Sequence, residues 1–193
     1  MKKITIDEIL PLADYERVRA ILRPLFIHEK ERRRIAVGSH LTFIFENTET
    51  SWYQIEEMIR TEKMTDRAAI QHEIDTYNEL IPAPGELVAT LLIEYTDAVE
   101  REAALRRLVG LERHLWLILG AKKIAASFDD RQMSTEKISA VQFVRFSLEG
   151  VSGPQLLELA RKGEAAIVAD HPSLAARGAI DGLVASSLAE DLG

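Results

Sequence analysis

Apolar residues recur with two different periods along the chain, and the change of period predicts where helices give way to strands. A period of three to four over about 14–34 predicts a long first helix, which Pro24 is expected to kink or split. The apolar face of this helix consists of Val18, Ile21, Leu22, Leu25 and Phe26. The period falls to two at 41–45, where every second residue is Leu or Phe, as is typical of a strand.

Two shorter amphipathic helices are predicted next, followed by a buried strand. The helices cover about 51–62 and 66–80, and the Pro- and Gly-rich segment 82–85 ends the second of them. Residues 86–95 are apolar on both faces of a predicted strand. Because a strand of this kind has to be covered on both sides, we predict that it is an inner strand of a sheet.

The remaining elements predict the fold class. A helix over about 97–110 precedes three predicted strands between 115 and 148, and an Ala-rich helical tail over 173–192 follows. This order differs from the strict βαβ alternation of doubly wound folds. It predicts an α+β fold with a mixed, mostly antiparallel sheet of about five strands and helices packed on it. We expect 1–148 to form the core domain and 149–193 to be a helical C-terminal appendage packed on the same domain.

Charge is distributed unevenly along the 193 residues, whose net charge is −7. Residues 1–34 hold nine Lys or Arg and six Asp or Glu, which leaves 15 basic and 25 acidic side chains for the rest. Such an acidic surface repels phosphate backbones, so we expect no nucleic-acid partner. The basic run at 30–34 is interpreted as the last turn of the first helix, with a docking patch as the alternative.

Hydropathy and the N-terminal sequence indicate a cytoplasmic location. No apolar stretch reaches the length of about 18 residues that a transmembrane helix needs, so we expect no membrane insertion. Asp7 and Glu8 stand where a signal peptide has its apolar region. Homo-oligomerisation is left open.

Several cofactors are excluded by residue type. The chain has no cysteine, so it has no ligands for a cysteine-ligated iron–sulfur cluster or zinc site. None of its five histidines follows a Glu by three residues, which removes the ligand pairs of a ferritin-like di-iron site. Phosphate-binding glycine motifs, HExxH and GxSxG are also absent. Any other cofactor stays unassigned.

The second and third helices carry the densest set of polar side chains. At 100° per residue, Glu57 falls beside Tyr53 and Arg60, whereas His72 falls beside Asp75. If the two helices form a hairpin, these side chains can converge to bind a divalent metal ion or to pair an acid with a base. The candidate ligand-binding residues are Gln54, Glu57, His72, Glu73, Asp75 and Tyr77, and the candidate metal ligands among them are Glu57, His72 and Glu73.

The alternative is that these side chains form the solvated faces of two amphipathic helices. Asp75 then only orients His72, and Glu57 only pairs with Arg60. Glu73 distinguishes the two hypotheses because it lies at the margin of the core. We predict that Glu73 is at least half buried and bonded to a partner such as Tyr77, an Arg or an ion.

Segments along nearly the whole chain resemble a bacterial family of uncharacterised proteins, the domain of unknown function 3501 family. The matching segments are IDEILPLxxYE at 6–16, FEN at 45–47, YQIxEM at 53–58, IQHExDTYN at 70–78, GELxATLxIEY at 85–95 and AVQF at 140–143. The resemblance places Glu46 and the six candidate residues within family motifs. It also implies partners in redox chemistry or peroxide defence, namely rubrerythrin-like proteins and an iron–sulfur protein similar to a heterodisulfide reductase subunit.

Two functions follow from the sequence. The first is an accessory or binding protein that serves redox partners, as the resemblance implies. The second is a small-molecule enzyme, with metal assistance left open, that uses the acid and imidazole side chains in the region of Glu57, His72 and Glu73. Whether the protein is an enzyme is left open at this point.

Overall fold

Two antiparallel sheets and six α-helices form in residues 1–129 and 135–192, the part of the chain that the computed structural model describes. The α-helices are α1 (Leu12–Glu31), α2 (Thr48–Glu62), α3 (Arg67–Asn78), α4 (Ala98–Arg107), α5 (Gly153–Arg161) and α6 (Gly182–Leu192). The strands are β1 (Arg34–Val37), β2 (Leu41–Phe45), β3 (Glu86–Ile93), β4 (Leu115–Leu119), β5 (Lys122–Ala125), β6 (Ser127–Phe128), β7 (Val141–Ser147), β8 (Ala165–His171) and β9 (Leu174–Ala179).

The first sheet has five strands in the order β1-β2-β3-β7-β6. β3 pairs with β2 on one side and with β7 on the other, so that Ala89 lies opposite both Phe45 and Val144. Six of the eight β3 residues are buried, which explains why both faces of this segment are apolar. The prediction of an inner strand in 86–95 is confirmed, and so is the α+β class.

A second sheet corrects the predicted arrangement of a single mixed sheet with a helical appendage. Its four strands run in the order β5-β4-β8-β9, and every pair in both sheets is antiparallel. The segment 174–179, predicted to be helical, is strand β9, because its pairing with β8 overrides the helix propensity of its alanines. The C-terminal helix α6 is present, whereas Gly193 lies outside the described residues. The division into 1–148 and 149–193 stays a prediction.

The two sheets pack face to face around one apolar core. Phe43 and Leu91 from the first sheet share this core with Leu117 and Ile167 from the second. The chain passes from β5 directly into β6 at Ala126 and thereby joins the sheets along one side. On the other side β9 lies against β1.

Helices α1, α2 and α3 form a helical layer with a separate small core. Ile55 and Ile59 from α2 are buried there against Ile74 from α3. Asn47 caps α2 by accepting a hydrogen bond from the main-chain N–H of Thr50 at 2.8 Å. α2 therefore starts three residues before the predicted position.

Helix α1 differs from its prediction in two respects. It runs without interruption from Leu12 to Glu31, with Pro24 inside it. Two members of its predicted apolar face, Ile21 and Leu25, are 70% and 62% exposed. The side of α1 that contacts α2 carries Phe26, which belongs to the predicted face, and Tyr15, which does not.

The basic run at 30–34 contains a buried charged residue. Arg33 is 1% exposed and donates through Nε to the main-chain oxygen of Phe45 at 2.9 Å. Its guanidinium also donates to Ser187 Oγ at 2.8 Å and pairs with Asp191 of α6. Arg33 therefore ties the C-terminal helix to the end of β2. Only Lys30 and Glu31 of the run lie in α1, and Arg34 already begins β1, so the interpretation as the last helical turn holds only for the start of the run. Arg33 belongs to the interior.

No helix among the described residues has the length and apolarity needed to cross a membrane. The cytoplasmic location stays a prediction.

Candidate functional site

A cleft of about 460 Å³ lies between α1 and α2, with one side chain of α3 at its edge. We refer to it as the α1–α2 cleft. The residues that line it include three of the six predicted candidates, Gln54, Glu57 and Tyr77. The complete lining is Arg19, Arg23, Lys30, Tyr53, Gln54, Glu57, Met58, Thr61, Glu62 and Tyr77.

Glu57 is held in place by three side chains. Arg19 donates two hydrogen bonds to it, from Nε at 2.7 Å and from Nη2 at 2.9 Å. The hydroxyl of Tyr15 donates to Glu57 Oε1 at 2.7 Å, and Arg60 Nη2 lies 3.4 Å from Oε2. The hydrogen bonds from Arg19 are the main reason that the pKa of Glu57 is lowered to about 2. Glu57 is therefore a fixed carboxylate that stays charged at neutral pH.

Two other cations of the cleft have no such partner. Within residues 1–129 and 135–192, Arg23 and Lys30 form no ion pair with a carboxylate. Lys30 Nζ lies 5.8 Å from the ring centre of Tyr53. Because Arg19 already neutralises Glu57, the charges of Arg23 and Lys30 are available to a ligand. With Glu62 also in the lining, the α1–α2 cleft holds three cations and two carboxylates, so it keeps a net positive charge in a chain of net charge −7.

Tyrosines supply the apolar surface of the cleft and its hydroxyl groups. The ring of Tyr53 stacks on Phe26, with ring centres 4.7 Å apart and an interplanar angle of 14°. Burial raises the pKa of Tyr53, and the charges of Glu57, Arg19 and Arg23 also act on it. Burial likewise raises the pKa of Tyr77. Both phenols therefore stay protonated at neutral pH and can donate a hydrogen bond.

A buried carboxylate lies beneath Gln54. Glu46, which follows β2, is 2% exposed. It accepts hydrogen bonds from Thr50 Oγ1 at 2.5 Å, from Thr90 Oγ1 at 2.6 Å and from Gln54 Nε2 at 3.1 Å. These bonds fix Gln54 from below, so that the buried network reaches the floor of the cleft.

The other predicted candidates lie apart from the cleft lining. His72 and Asp75 are exposed, and Asp75 accepts a hydrogen bond from Gln71 at 2.8 Å instead of pairing with His72. Glu73 is half-buried, as predicted, but no hydrogen bond or ion pair joins it to another residue in the described part of the chain. The same part contains no group of three or more His, Asp or Glu with metal-binding geometry. The structure thus does not bring Glu57, His72 and Glu73 together.

The cleft residues that the sequence analysis omitted include the three cations of α1. Arg19 and Arg23 are four residues apart, and Lys30 follows Arg23 by seven, so the three lie on one side of a helix. This spacing was visible in the sequence. Their proximity to Glu57 depends on the packing of α1 against α2, which the spacing alone does not indicate.

A larger cleft of about 640 Å³ lies at the end of β3. Its histidine, His40, stacks on Tyr95 with ring centres 4.0 Å apart, and its Nδ1 lies 3.0 Å from the main-chain oxygen of Glu94. The lining combines two carboxylates, Glu94 and Glu100, with one guanidinium, Arg101. It therefore lacks the uncompensated positive charge of the α1–α2 cleft.

The fold and the cleft define an α+β protein with two packed sheets and a basic cleft in its helical layer. A family model described as "Protein of unknown function (DUF3501)" matches residues 3–192, and the chain belongs to this family. The resemblance noted in the sequence is confirmed. The chain is also similar to a solved structure of a novel protein of unknown function from Burkholderia pseudomallei K96243, with 39% identity, a TM-score of 0.87 and 100% of each chain covered. No curated protein matches the chain.

Substitution of Glu57 should make the free energy of unfolding less dependent on pH in the acidic range. The folded-state pKa of about 2 lies below the ordinary value of 4.5, so the charged carboxylate stabilises the fold above pH 4.5. That contribution is lost as the pH falls from 4.5 towards 2. Between about pH 6 and pH 3, we expect the wild-type chain to lose on the order of 2 kcal/mol more than Glu57→Gln, as measured by urea unfolding.

Glu31→Gln is the matched control, because Glu31 is an exposed acid on the same helical layer. This variant should keep the slope of the wild-type chain. Equal slopes for Glu57→Gln and the wild-type chain would show that the contacts with Arg19 and Tyr15 do not stabilise the charged form.

Proposed function

We propose that the protein is an accessory binding protein whose α1–α2 cleft takes a small anionic ligand, and that it serves redox partners. The cleft supports the first part of this proposal. The second part, association with rubrerythrin-like or iron–sulfur proteins, is supported by the family resemblance alone. The observation that carries the ligand proposal is the pair of cations, Arg23 and Lys30, that face the cleft without a carboxylate partner.

Charge and hydrogen-bond donors in the cleft suit an anion. Guanidinium and ammonium groups form strong, charge-assisted hydrogen bonds with carboxylates and phosphates. The hydroxyl of Tyr53 belongs to the same lining and can donate a further bond. The positive charges of the cleft attract anions locally, whereas the net charge of −7 opposes their approach at long range.

The contacts of Glu57 favour a binding role over an acid–base role. A general acid or base works best when its pKa lies near the pH at which it operates. The pKa of Glu57 is about 2, since Arg19 and Tyr15 stabilise its charged form. Its carboxylate therefore serves to position Arg19 in the wall of the cleft.

Anion binding can be measured by titration calorimetry with succinate and with inorganic phosphate. We expect the double variant Arg23→Ala/Lys30→Ala to bind the better of these two probes at least about 10-fold more weakly than the wild-type chain, because each charged hydrogen bond contributes about 1.5–3 kcal/mol. Raising the salt concentration should weaken wild-type binding more than binding by the double variant.

The matched control is Arg17→Ala/Lys162→Ala, which removes the same charge from exposed positions outside the cleft. Its affinity should stay within about 3-fold of the wild-type value. The ligand proposal is overturned if neither probe binds the wild-type chain, or if both double variants lose affinity equally. The partner proposal is checked by size-exclusion chromatography with a rubrerythrin-like protein: a joint peak supports it and two separate peaks contradict it.

A further inference from the structure

We propose that Gln54 makes the α1–α2 cleft selective for carboxylates that carry a hydroxyl or amino group beside the carboxylate. This inference rests on the proposed function and specifies its ligand class. The observation behind it is the orientation of the Gln54 side-chain amide. Buried residues beneath the cleft determine this orientation.

The NH2 group of Gln54 is fully used by the protein. It donates to the carboxylate of Glu46 at 3.1 Å and to the main-chain oxygen of Thr50 at 3.2 Å. A main-chain carbonyl can only accept a hydrogen bond, so the amide nitrogen has to face Thr50. The alternative orientation, with the two amide atoms exchanged, would place the side-chain oxygen against the carbonyl oxygen of Thr50.

The residue that holds Gln54 is itself fixed. Glu46 is 2% exposed and accepts from the hydroxyls of Thr50 and Thr90, one on each side of its carboxylate. The main-chain N–H of Asn47 donates to Thr50 Oγ1 at 2.9 Å, which leaves the hydroxyl hydrogen of Thr50 for Glu46. Because these groups are buried and bonded, Gln54 cannot change its orientation without breaking several hydrogen bonds.

The remaining polar atom of Gln54 is its amide oxygen, Oε1. No described residue donates a hydrogen bond to this oxygen, and Gln54 lines the cleft. An amide oxygen accepts and never donates, so the group that meets it has to be an N–H or an O–H. A ligand that consists only of carboxylates and CH2 groups leaves Oε1 without a partner after its water has been displaced.

The cleft therefore requires two features of its ligand. Arg23 and Lys30 require negative charge, and Gln54 Oε1 requires a hydrogen-bond donor close to that charge. A hydroxy acid or an amino acid with a second carboxylate meets both requirements. Selection of this kind is strong. A ligand without the donor removes water from Gln54 Oε1 and supplies no hydrogen bond in its place, which weakens its binding.

Calorimetric titrations with succinate, L-malate and L-aspartate test the inference. L-malate adds only a hydroxyl group to succinate, whereas L-aspartate adds an ammonium group, which donates hydrogen bonds but cancels one negative charge. In the wild-type chain we expect L-malate or L-aspartate to bind about 5- to 20-fold more tightly than succinate. Whichever of L-malate and L-aspartate binds more tightly shows whether the preferred hydrogen-bond donor is a hydroxyl or an amino group. Gln54→Met, which keeps the length of the side chain, should bring the ratio to within about 2-fold of unity. Arg23→Ala should weaken all three ligands and preserve the ratio.

The outcomes separate this inference from the proposed function. If succinate, L-malate and L-aspartate bind the wild-type chain with equal affinity, the cleft binds anions and the role of Gln54 is refuted. If none of them binds, the inference is refuted, and the proposed function fails as well if inorganic phosphate does not bind either. The comparison in the wild-type chain needs no variant, so a destabilised Gln54→Met does not prevent the test. Preserved selectivity in a folded Gln54→Met would also refute the role of Gln54.

Discussion

Replacement of Arg33 by Ala is expected to lower the free energy of unfolding by about 3–5 kcal/mol, because it leaves the mostly buried carboxylate of Asp191 without its cation. Arg33 pairs with Asp191 and lies 3.4 Å from Glu29 Oε1, and its own side chain is 1% exposed. The substitution also removes the hydrogen bonds to Phe45 and Ser187. Urea unfolding monitored by circular dichroism measures the loss.

The neighbouring Arg32 provides the matched control. It pairs with Glu29 at 3.3 Å and with Glu190 at 3.5 Å, but its side chain is 27% exposed. Water can therefore replace Arg32 as a partner, and Arg32→Ala should cost about 1 kcal/mol or less. If the two variants are equally stable, the buried contacts of Arg33 do not hold the C-terminal helix in place.

Hydrophobic periodicity predicted β2, α2, α3 and β3, but not β1, because each of these four elements is amphipathic or fully buried in its own right. The inner position of β3 followed from its two apolar faces, and the helices α2 and α3 from the spacing of their isoleucines. The hairpin of β8 and β9 was not predicted in the same way. Its second strand reads LAARGA, in which small residues give no alternating pattern, and its conformation depends on pairing with β8.

The candidate site was also predicted only in part, because the sequence indicates the faces of single helices but not how the helices pack. Gln54, Glu57 and Tyr77 were identified from helix faces, and all three line the α1–α2 cleft. His72 was grouped with them because it is polar, although α3 turns Ile74 inward and leaves His72 exposed. The cations come from α1, 27 to 38 residues away from Glu57 in sequence. Contacts at such distances are set by tertiary packing, which local spacing does not encode.

Replacement of Gly178 by Val is expected to separate the two sheets on the side where β9 lies against β1. A Cβ atom at Gly178 would lie 2.4 Å from the main-chain oxygen of Ala36 and 2.7 Å from Val37 Cγ2. The first contact is with backbone, so it cannot be relieved by rotating a side chain. Overpacking of a dense interior typically costs about 1–3 kcal/mol, and we expect the upper end of this range for Gly178→Val and the lower end for Gly178→Ala.

Gly182→Ala is the control for this pair, because a Cβ at Gly182 has no neighbour within 4 Å. Gly182 begins α6, where alanine is the better helix former, so this variant should be neutral or more stable by up to about 1 kcal/mol. Thermal unfolding of the three variants should rank them as Gly182→Ala, Gly178→Ala and Gly178→Val in order of decreasing melting temperature. Wild-type stability in Gly178→Val would mean that β9 can move away from β1 at no cost, and that the sheets are not closed on this side.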